Sequence, residues 1–275
     1  MIGNENNYHL SWTGAETEAI PIAADDYSVA ARHLYKAMND ATIAIKEIDT
    51  SHPVAICNGD LGFIDIIAEE CKDIDIYGTN MYRGISFGNA FQEIKEKLNK
   101  PVLFAEFGAD AFNARDNKED QFTQAYYDLG NWKEIYQNAA GQGKVGNSLG
   151  GFTFQFSDGW WKYGQTKNLD VHDNVAVWPS NGYGRDQEKP GDLNMNEEWF
   201  GICAKGPTDA RGLYTLYPRA AYYALQEVHR LDPYGEGVTP EFLNNHFNAI
   251  ELMDAVLKAR GDKACLLYTS PSPRD

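Results

Sequence analysis

KPVLFAEFG, residues 100–108, is the stretch that decides the fold. A Lys-Pro pair interrupts the preceding helical pattern, and the apolar run 102–105 after it predicts a short buried strand. The strand ends at a carboxylate, Glu106, which has apolar neighbours on both sides. A charged group in so apolar a run is seldom left there without a partner or a chemical role. We therefore expect further candidate functional side chains at the ends of the other strands.

Short apolar runs of this kind alternate with amphipathic helical patterns along the chain. The predicted strands cover 54–57, 75–80, 102–105 and 151–156. The predicted helices cover 25–49, 61–71, 91–98, 121–140, 218–231 and 240–260. Repeated alternation of strand and helix predicts an α/β fold with a parallel sheet and right-handed crossovers.

Three regions depart from this rhythm. Residues 158–212 are rich in Gly, Asn, Asp and Trp and have little periodicity, which predicts a long functional loop. Residues 236–262 read as a helical extension after a linker. Residues 263–275 fit nothing before them and resemble translated adaptor sequence, so we expect a tail that is foreign to the fold.

Composition excludes several kinds of partner. The chain has 275 residues, and 24 Lys+Arg against 40 Asp+Glu give a formal net charge of −16. Nucleic acids and anionic membranes need a basic face, so we expect neither as a partner. No apolar run approaches the roughly 18 residues that a membrane span needs. The opening MIGNE has no features of an export signal, so localisation stays open; we expect an exported parent protein whose signal is not present in this chain.

The cysteines predict neither a metal site nor a redox motif. The chain has four, Cys57, Cys71, Cys203 and Cys265, and no two of them have C-x-x-C spacing. We expect buried free thiols rather than a disulfide. No cofactor and no metal are expected.

Polar and aromatic side chains follow the predicted strands and a stub at the N-terminus. In a parallel α/β barrel, side chains at the carboxyl ends of strands face the active site. Two carboxylates, amides, a tyrosine and a tryptophan pair are the groups that a sugar-cleaving site needs, because two carboxyl groups must flank the bond and aromatic faces bind sugar rings. These candidates are Asn4, Glu5, Asn58, Asp60, Asn80, Tyr82, Glu106, Trp160 and Trp161.

Four segments that contain these candidates resemble, in this order along the chain, the clan A glycoside hydrolases. They are GNEN at 3–6, TNMY at 79–82, KPVLFAEFG at 100–108 and GFTFQFSDGW at 151–160. The nearest resemblance is to the barrel domain of glycoside hydrolase family 2, the β-galactosidase and β-glucuronidase family, and it runs from residue 2 to about residue 235. It implies an incomplete (β/α)8 TIM barrel that starts near the end of strand 4 and lacks strands 1–3.

The same resemblance implies roles for the two glutamates. Glu5 matches the acid/base of the clan, with Asn4 as its substrate-binding neighbour, and Glu106 matches the nucleophile. The implied reaction is the hydrolysis of β-linked glycosides in oligo- or polysaccharides by a retaining double displacement, which needs no metal.

The resemblance also implies residues that bind the sugar. Tyr82 matches a tyrosine that hydrogen-bonds the nucleophile, and Trp160 or Trp161 matches the floor of the sugar subsite. Neighbouring residues on a strand point to opposite faces, so at most one of the two tryptophans is expected to face the sugar. Three further residues are expected to line the cleft, namely Asn58, Asp60 and Asn80.

Other readings of these residues stay open. Glu106 could belong to a buried ion pair, and Tyr82 could simply pack on the sheet. The chain could be an inactive barrel fragment that binds carbohydrate weakly, because a barrel without three strands has open sheet edges. A transglycosylase would use the same two glutamates and pass the sugar to another sugar instead of water.

Overall fold

The computed structural model describes residues 1–10, 27–159, 172–176, 178–179 and 193–261. A 3-10 helix, Asn6–His9, comes first, and a second one, Glu197–Trp199, follows late in the chain. The helices and strands are, in chain order, α1 Tyr27–Ile48, β1 Ala55–Gly59, α2 Ile64–Glu70, β2 Ile76–Asn80, α3 Ala90–Lys97, β3 Val102–Phe107, β4 Phe112–Asn113, β5 Lys118–Glu119, α4 Gln121–Gln137, β6 Ser148–Thr153, β7 Trp178–Pro179, β8 Leu193–Met195, β9 Cys203–Thr208, β10 Tyr214–Pro218, α5 Ala220–Val228, α6 Pro240–Asn248 and α7 Leu252–Arg260.

The chain forms two compact units. The first consists of residues 1–82, 87–107 and 135–152, and the second of residues 83–86, 108–134 and 153–275. The predicted mixed α/β fold with a parallel sheet is confirmed: four parallel strands lie in the order β1-β2-β3-β6. Within the described residues, no helix is both long and apolar enough to cross a membrane.

The N-terminal residues extend the sheet of the first unit beyond β1. Ile2 forms a parallel bridge with Ile56, and its backbone N–H donates to the carbonyl oxygen of Ala55 at 2.7 Å. The Asn7 side chain continues the pairing, because its carboxamide donates to the Gly59 carbonyl and accepts from the Gly59 N–H, at 2.9 and 2.7 Å. The carboxyl end of β1 therefore has hydrogen-bonded neighbours on both edges.

An aromatic cluster forms the core on the helix-covered face of the sheet. Phe87 and Phe91 near α3 pack against Phe104 and Phe107 of β3, with ring centroids 4.1 to 6.3 Å apart. All four side chains are buried, and each contributes on the order of 2 kcal/mol by leaving water. Gly151 of β6 is part of this contact, because a Cβ there would lie 2.8 Å from Phe104 atoms and from Cε1 of Phe107.

The second unit contains an antiparallel hairpin of β9 and β10, followed by the helices α5, α6 and α7. Small residues let α5 approach α7 closely, since Ala220, Ala221 and Ala224 form one buried cluster with Ala255 and Val256. This spacing lets short helices bury a continuous apolar surface.

An ion cluster in the second unit has a fully buried centre, Arg219 and Asp158, and two less buried members, Glu119 and His172. The Arg219 guanidinium, 1% exposed, donates from Nη1 and Nη2 to the two carboxylate oxygens of Asp158 at 2.5 and 2.8 Å. Its Nε donates to Glu119, and His172 Nε2 lies 2.6 Å from Asp158 Oδ2. Burial alone would raise the pKa of Asp158, but the hydrogen bonds from His172 and Arg219 outweigh it and lower the pKa below its usual value.

Some predicted elements differ from the structure. The last strand of the sheet covers Ser148–Thr153 rather than 151–156, because its glycines allow the close approach to β3. The pattern at 240–260 forms two helices, α6 and α7, because Glu251 adopts extended backbone angles between them. The region predicted as one long loop, 158–212, contains short strands, including β9.

The cysteine prediction is confirmed where the structure describes the residue. Cys57, Cys71 and Cys203 are free and buried. Cys265, like the predicted tail 263–275, lies outside the described residues.

Candidate active site

The candidate site lies in the first unit, at the carboxyl ends of β1, β2 and β3. Gly59 pairs with Asn80, and Asn80 pairs with Glu106, so three neighbouring strands place one residue each in a single row across the sheet. Paired residues of parallel strands direct their side chains to the same face. Amide and carboxylate groups from segments far apart in the sequence therefore meet at one edge.

A local irregularity in β3 puts Glu106 in this row. Thr79 pairs with Phe104, but the next residue of β2, Asn80, pairs with Glu106, so β3 accommodates the extra residue Ala105. Strict alternation would have turned Glu106 toward the face that holds Phe104. The bulge reverses this and aligns Glu106 with Asn80, an effect that bulges commonly have next to active sites.

Tyr82 holds the Glu106 carboxylate. The Tyr82 hydroxyl donates to Glu106 Oε2 at 2.9 Å. The backbone anchors the same pair of segments, since the N–H of Met81 donates to the Glu106 carbonyl at 2.9 Å. A hydrogen bond to a charged acceptor is stronger than a neutral one, so this contact orients the carboxylate and leaves its other oxygen, Oε1, for chemistry.

Glu5 reaches the same edge from a tight turn. Its backbone N–H donates to the Cys57 carbonyl at 3.0 Å, and its φ of 51° and ψ of 29° lie in the left-handed region. This conformation costs a residue with a side chain roughly 1–2 kcal/mol, so the contacts around the turn must hold it. Glu5 immediately precedes the 3-10 helix and is half-buried.

The thiol of Cys57 connects the two proposed catalytic segments. Its Sγ donates to Asn80 Oδ1 at 3.2 Å and to Asn4 Oδ1 at 3.4 Å, and Asn80 Nδ2 donates to Asn4 Oδ1 at 3.1 Å. Burial, followed by smaller contributions from the negative charges of Glu106 and Glu5, raises the pKa of Cys57 to about 11. Both carboxylates therefore lie close enough to the same thiol to act on it electrostatically.

Asn58 lies away from this group. Its Oδ1 accepts from the Tyr35 hydroxyl at 2.6 Å, and its Nδ2 donates to the Tyr77 hydroxyl and to backbone carbonyls of the following turn. Cys57 and Asn58 are successive residues of β1, so their side chains point to opposite faces. Asn58 ties the sheet to α1 and to the turn after β1.

Asp60 closes that turn. Its Oδ1 accepts from the Leu61 N–H at 2.6 Å, and its carbonyl accepts from the hydroxyls of Tyr77 and Thr79. Its φ of 49° is again left-handed. These contacts fit a residue that shapes the end of β1.

The structure thus brings together five of the nine candidates: Asn4, Glu5, Asn80, Tyr82 and Glu106. It does not bring Asn58 and Asp60 into the same group, and Trp160 and Trp161 lie outside the described residues. The resulting group offers two carboxylates, one of them held by a phenol, beside two carboxamides. Such a set can attack an electrophilic carbon and move a proton on or off an oxygen.

Sequence reasoning missed two residues of the site. Cys57 was interpreted only as a buried thiol, although its i, i+2 relation to Gly59 puts it on the face of the row. Tyr8, which packs on Gly59, carried no signal in the sequence, because the contact depends on how the N-terminal turn folds back on β1. In the described parts of the chain, no three His, Cys, Asp or Glu side chains are grouped so that they could hold a metal ion.

Comparisons with known proteins gave three results. No protein-family model matches the chain, and no curated protein matches it. Solved structures that resemble it include an exo-β-agarase (11% identity, TM-score 0.39, 70% of this chain and 22% of that chain). A β-glucuronidase of an uncultured Clostridium species is 16% identical, with a TM-score of 0.41 over 77% of this chain and 31% of that chain. Another agarase is 12% identical, with a TM-score of 0.42 over 82% of this chain and 27% of that chain. The chain therefore spans less than a third of the length of each of these three proteins.

Proposed function

We propose that the chain carries the catalytic centre of a retaining glycoside hydrolase that cleaves β-linked glycosides, with Glu106 as nucleophile and Glu5 as acid/base. Asn4, Asn80 and Tyr82 form the rest of the centre that binds the substrate. The four parallel strands and the Ile2 bridge then correspond to strands 4 to 8 of a (β/α)8 barrel of the family 2 type. The substrate is an oligo- or polysaccharide.

One observation carries the proposal. Glu106 is paired with Asn80 across β3 and β2, and the Asn80 carboxamide donates to Asn4, the residue before Glu5, at 3.1 Å, so the segments of both glutamates meet at one edge of the sheet. Two carboxyl groups at one site are the minimum for glycoside hydrolysis by acid and nucleophile. The hydrogen bond from Tyr82 to Glu106 adds support, because it orients one carboxylate for attack.

The chemistry follows from these positions. Glu106 Oε1 attacks the anomeric carbon, the bond from that carbon to the leaving oxygen breaks, and Glu5 gives its proton to that oxygen. The sugar is then an ester of Glu106. Water attacks the same carbon while Glu5 takes a proton from it, which releases the sugar and restores both carboxyl groups.

Covalent trapping tests the assignment. We expect a 2-deoxy-2-fluoro glycoside with an activated leaving group to add one glycosyl mass to the peptide that contains Glu106, in a mass spectrum of the digested protein. Glu106→Gln should lose both labelling and hydrolysis of 4-nitrophenyl β-glycosides. Glu5→Ala should keep the labelling, and azide should restore its turnover with a β-glycosyl azide as product.

A matched variant controls for charge. Glu96→Gln removes a carboxylate from the exposed side of α3 and should leave hydrolysis unchanged. Labelling of any residue other than Glu106 would refute the nucleophile assignment. A folded chain that neither hydrolyses nor is labelled by the gluco, galacto and glucurono probes would favour a fragment that only binds carbohydrate.

A further inference from the structure

The exposed ring of Tyr8 lies at one end of the row that Gly59, Asn80 and Glu106 form across the sheet. A Cβ on Gly59 would collide with Cε2 and Cζ of the Tyr8 ring, so the ring occupies the space where any other residue at position 59 would place its side chain. Tyr8 is nevertheless 58% exposed. The Tyr8 ring thus packs against Gly59, while more than half of the side chain is exposed to solvent.

The contact between Tyr8 and Gly59 lies on the face of the sheet that carries the candidate site. Gly59 pairs with Asn80, and it is two residues from Cys57, so its vacant side-chain direction is that of the Asn80 carboxamide and the Cys57 thiol. Adjacent strands lie about 4.8 Å apart, so the ring stands roughly 10 Å along the row from the strand of Glu106.

Tyr8 also shares a turn with Glu5. The Tyr8 backbone N–H donates to the Glu5 carbonyl at 3.0 Å, which closes one turn of the 3-10 helix. Glu5 is the residue before this helix, and Tyr8 is its third residue. The ring and the proposed acid/base are therefore carried by one short turn of backbone.

We propose that Tyr8, seated on Gly59, is the platform on which the sugar of the leaving-group side stacks. This inference rests on the proposed function, because the leaving-group side is defined by Glu5. The same platform receives a sugar that replaces water as acceptor, so Tyr8 sets the balance between hydrolysis and transglycosylation. An aromatic face against the C–H face of a pyranose is the contact that such a subsite requires.

Kinetics of the full chain separate this role from the chemistry itself. With the 4-nitrophenyl β-glycoside that the protein cleaves, hydrolysis without an acceptor gives the reference rate for the wild-type protein and for each variant. With methyl β-D-glucoside, methyl β-D-galactoside and cellobiose tested as acceptors, we expect the fraction of sugar transferred to the best of them to fall about tenfold. Tyr8→Phe keeps the ring and should restore transfer, whereas Gly59→Ala displaces the ring and should behave like Tyr8→Ala. Tyr27→Ala removes a tyrosine of the same unit that is 56% exposed and should change nothing.

A binding measurement keeps the two proposals distinguishable. Saturation-transfer NMR with the same three sugars should give signals that are lost in Tyr8→Ala and kept in Tyr8→Phe and Glu106→Gln. Unchanged transfer and unchanged sugar signals in Tyr8→Ala, with turnover abolished in Glu106→Gln, would overturn the role of Tyr8 and leave the hydrolase intact. Sugar signals that depend on Tyr8 in a chain without turnover would support the platform and count against the hydrolase. An absence of sugar signals in a folded wild-type protein would overturn the platform.

Discussion

Replacing Glu198 with glutamine should stabilise the protein, and increasingly so as the pH rises from 5 to 8. Glu198 is 3% exposed; its Oε2 accepts from the Asp173 N–H at 2.7 Å, and its Oε1 has no hydrogen-bond partner among the described residues. Burial is the main reason that the pKa of Glu198 rises from 4.5 to about 7. The hydrogen bond from the Asp173 N–H and the charge of His172 oppose this rise, and the charges of Asp173 and Asp158 add to it.

The sign and size of the effect follow from proton linkage. Between pH 4.5 and 7 the folded protein binds more protons at Glu198 than the unfolded chain does, so its stability falls as the pH rises. At about 1.4 kcal/mol for each pKa unit, the carboxylate weakens folding by about 3 kcal/mol at pH 8 and by little at pH 4. Glutamine resembles the protonated acid, still accepts from the Asp173 N–H and escapes this loss.

Urea unfolding, followed by circular dichroism at pH 5 and pH 8, measures the difference. Glu197→Gln removes the same charge from the adjacent residue and serves as the control. The wild-type protein and Glu197→Gln should lose stability between the two pH values, and Glu198→Gln should lose about 2.5 kcal/mol less, because part of the effect is already present at pH 5. If the wild-type protein and Glu198→Gln changed in parallel, the carboxylate would already be ionised at pH 5 in the folded protein, and the reasoning from burial would be wrong.

Three further predictions concern the site and the buried ion pair. Tyr82→Phe removes a hydrogen bond to the Glu106 carboxylate, a contact worth about 1.5–3 kcal/mol, so kcat/KM for an aryl glycoside should fall about 10- to 150-fold with the circular dichroism spectrum unchanged. Cys57 is buried and its pKa is raised to about 11, so iodoacetamide at pH 8 should leave it unmodified in the folded protein and alkylate it after unfolding in urea, as mass spectrometry of the digested protein would show. Arg219→Met leaves Asp158 buried without its main partner and should cost about 3–5 kcal/mol in urea unfolding, of which Asp158→Asn in the same chain should recover a part. An equal loss in the single and the double variant would show that the size of Arg219, rather than its charge, is what matters.

The strands of the sheet were predictable because each is a short apolar run between turn residues. The run at 75–80 corresponds to β2, Ile76–Asn80, and the run at 102–105 lies within β3. The predicted start of the last strand, residue 151, lies three residues after its start in the structure, Ser148. The aromatic run 152–156 has a higher strand propensity than the glycines before it. The close contact of Gly151 with Phe104 decides the outcome, and such a contact belongs to the packed sheet rather than to the local sequence.

The sequence predicts which polar residues end the strands of the candidate site, but only in part the faces to which their side chains point. A strand that is buried on both faces, as β1 is, gives no alternation from which to decide between Cys57 and Asn58. Strict alternation would also have turned Glu106 to the wrong face, because the bulge at Ala105 appears only when β3 is paired with β2. Residue pairing across strands therefore supplied the information that the linear pattern lacked.

The fold holds the two proposed catalytic glutamates to different degrees, because one lies in a strand and the other in a turn. Glu106 lies within a paired strand, and Tyr82 fixes its carboxylate, so its position is determined by the sheet. Glu5 lies on a left-handed turn, and its backbone N–H bonds to the carbonyl of Cys57. A nucleophile must meet one carbon from one direction, which favours a rigid element, whereas an acid/base serves first a leaving oxygen and then a water molecule. Because the Tyr8 N–H donates to the Glu5 carbonyl within that turn, the proposed proton transfer and the proposed choice of acceptor depend on one local structure.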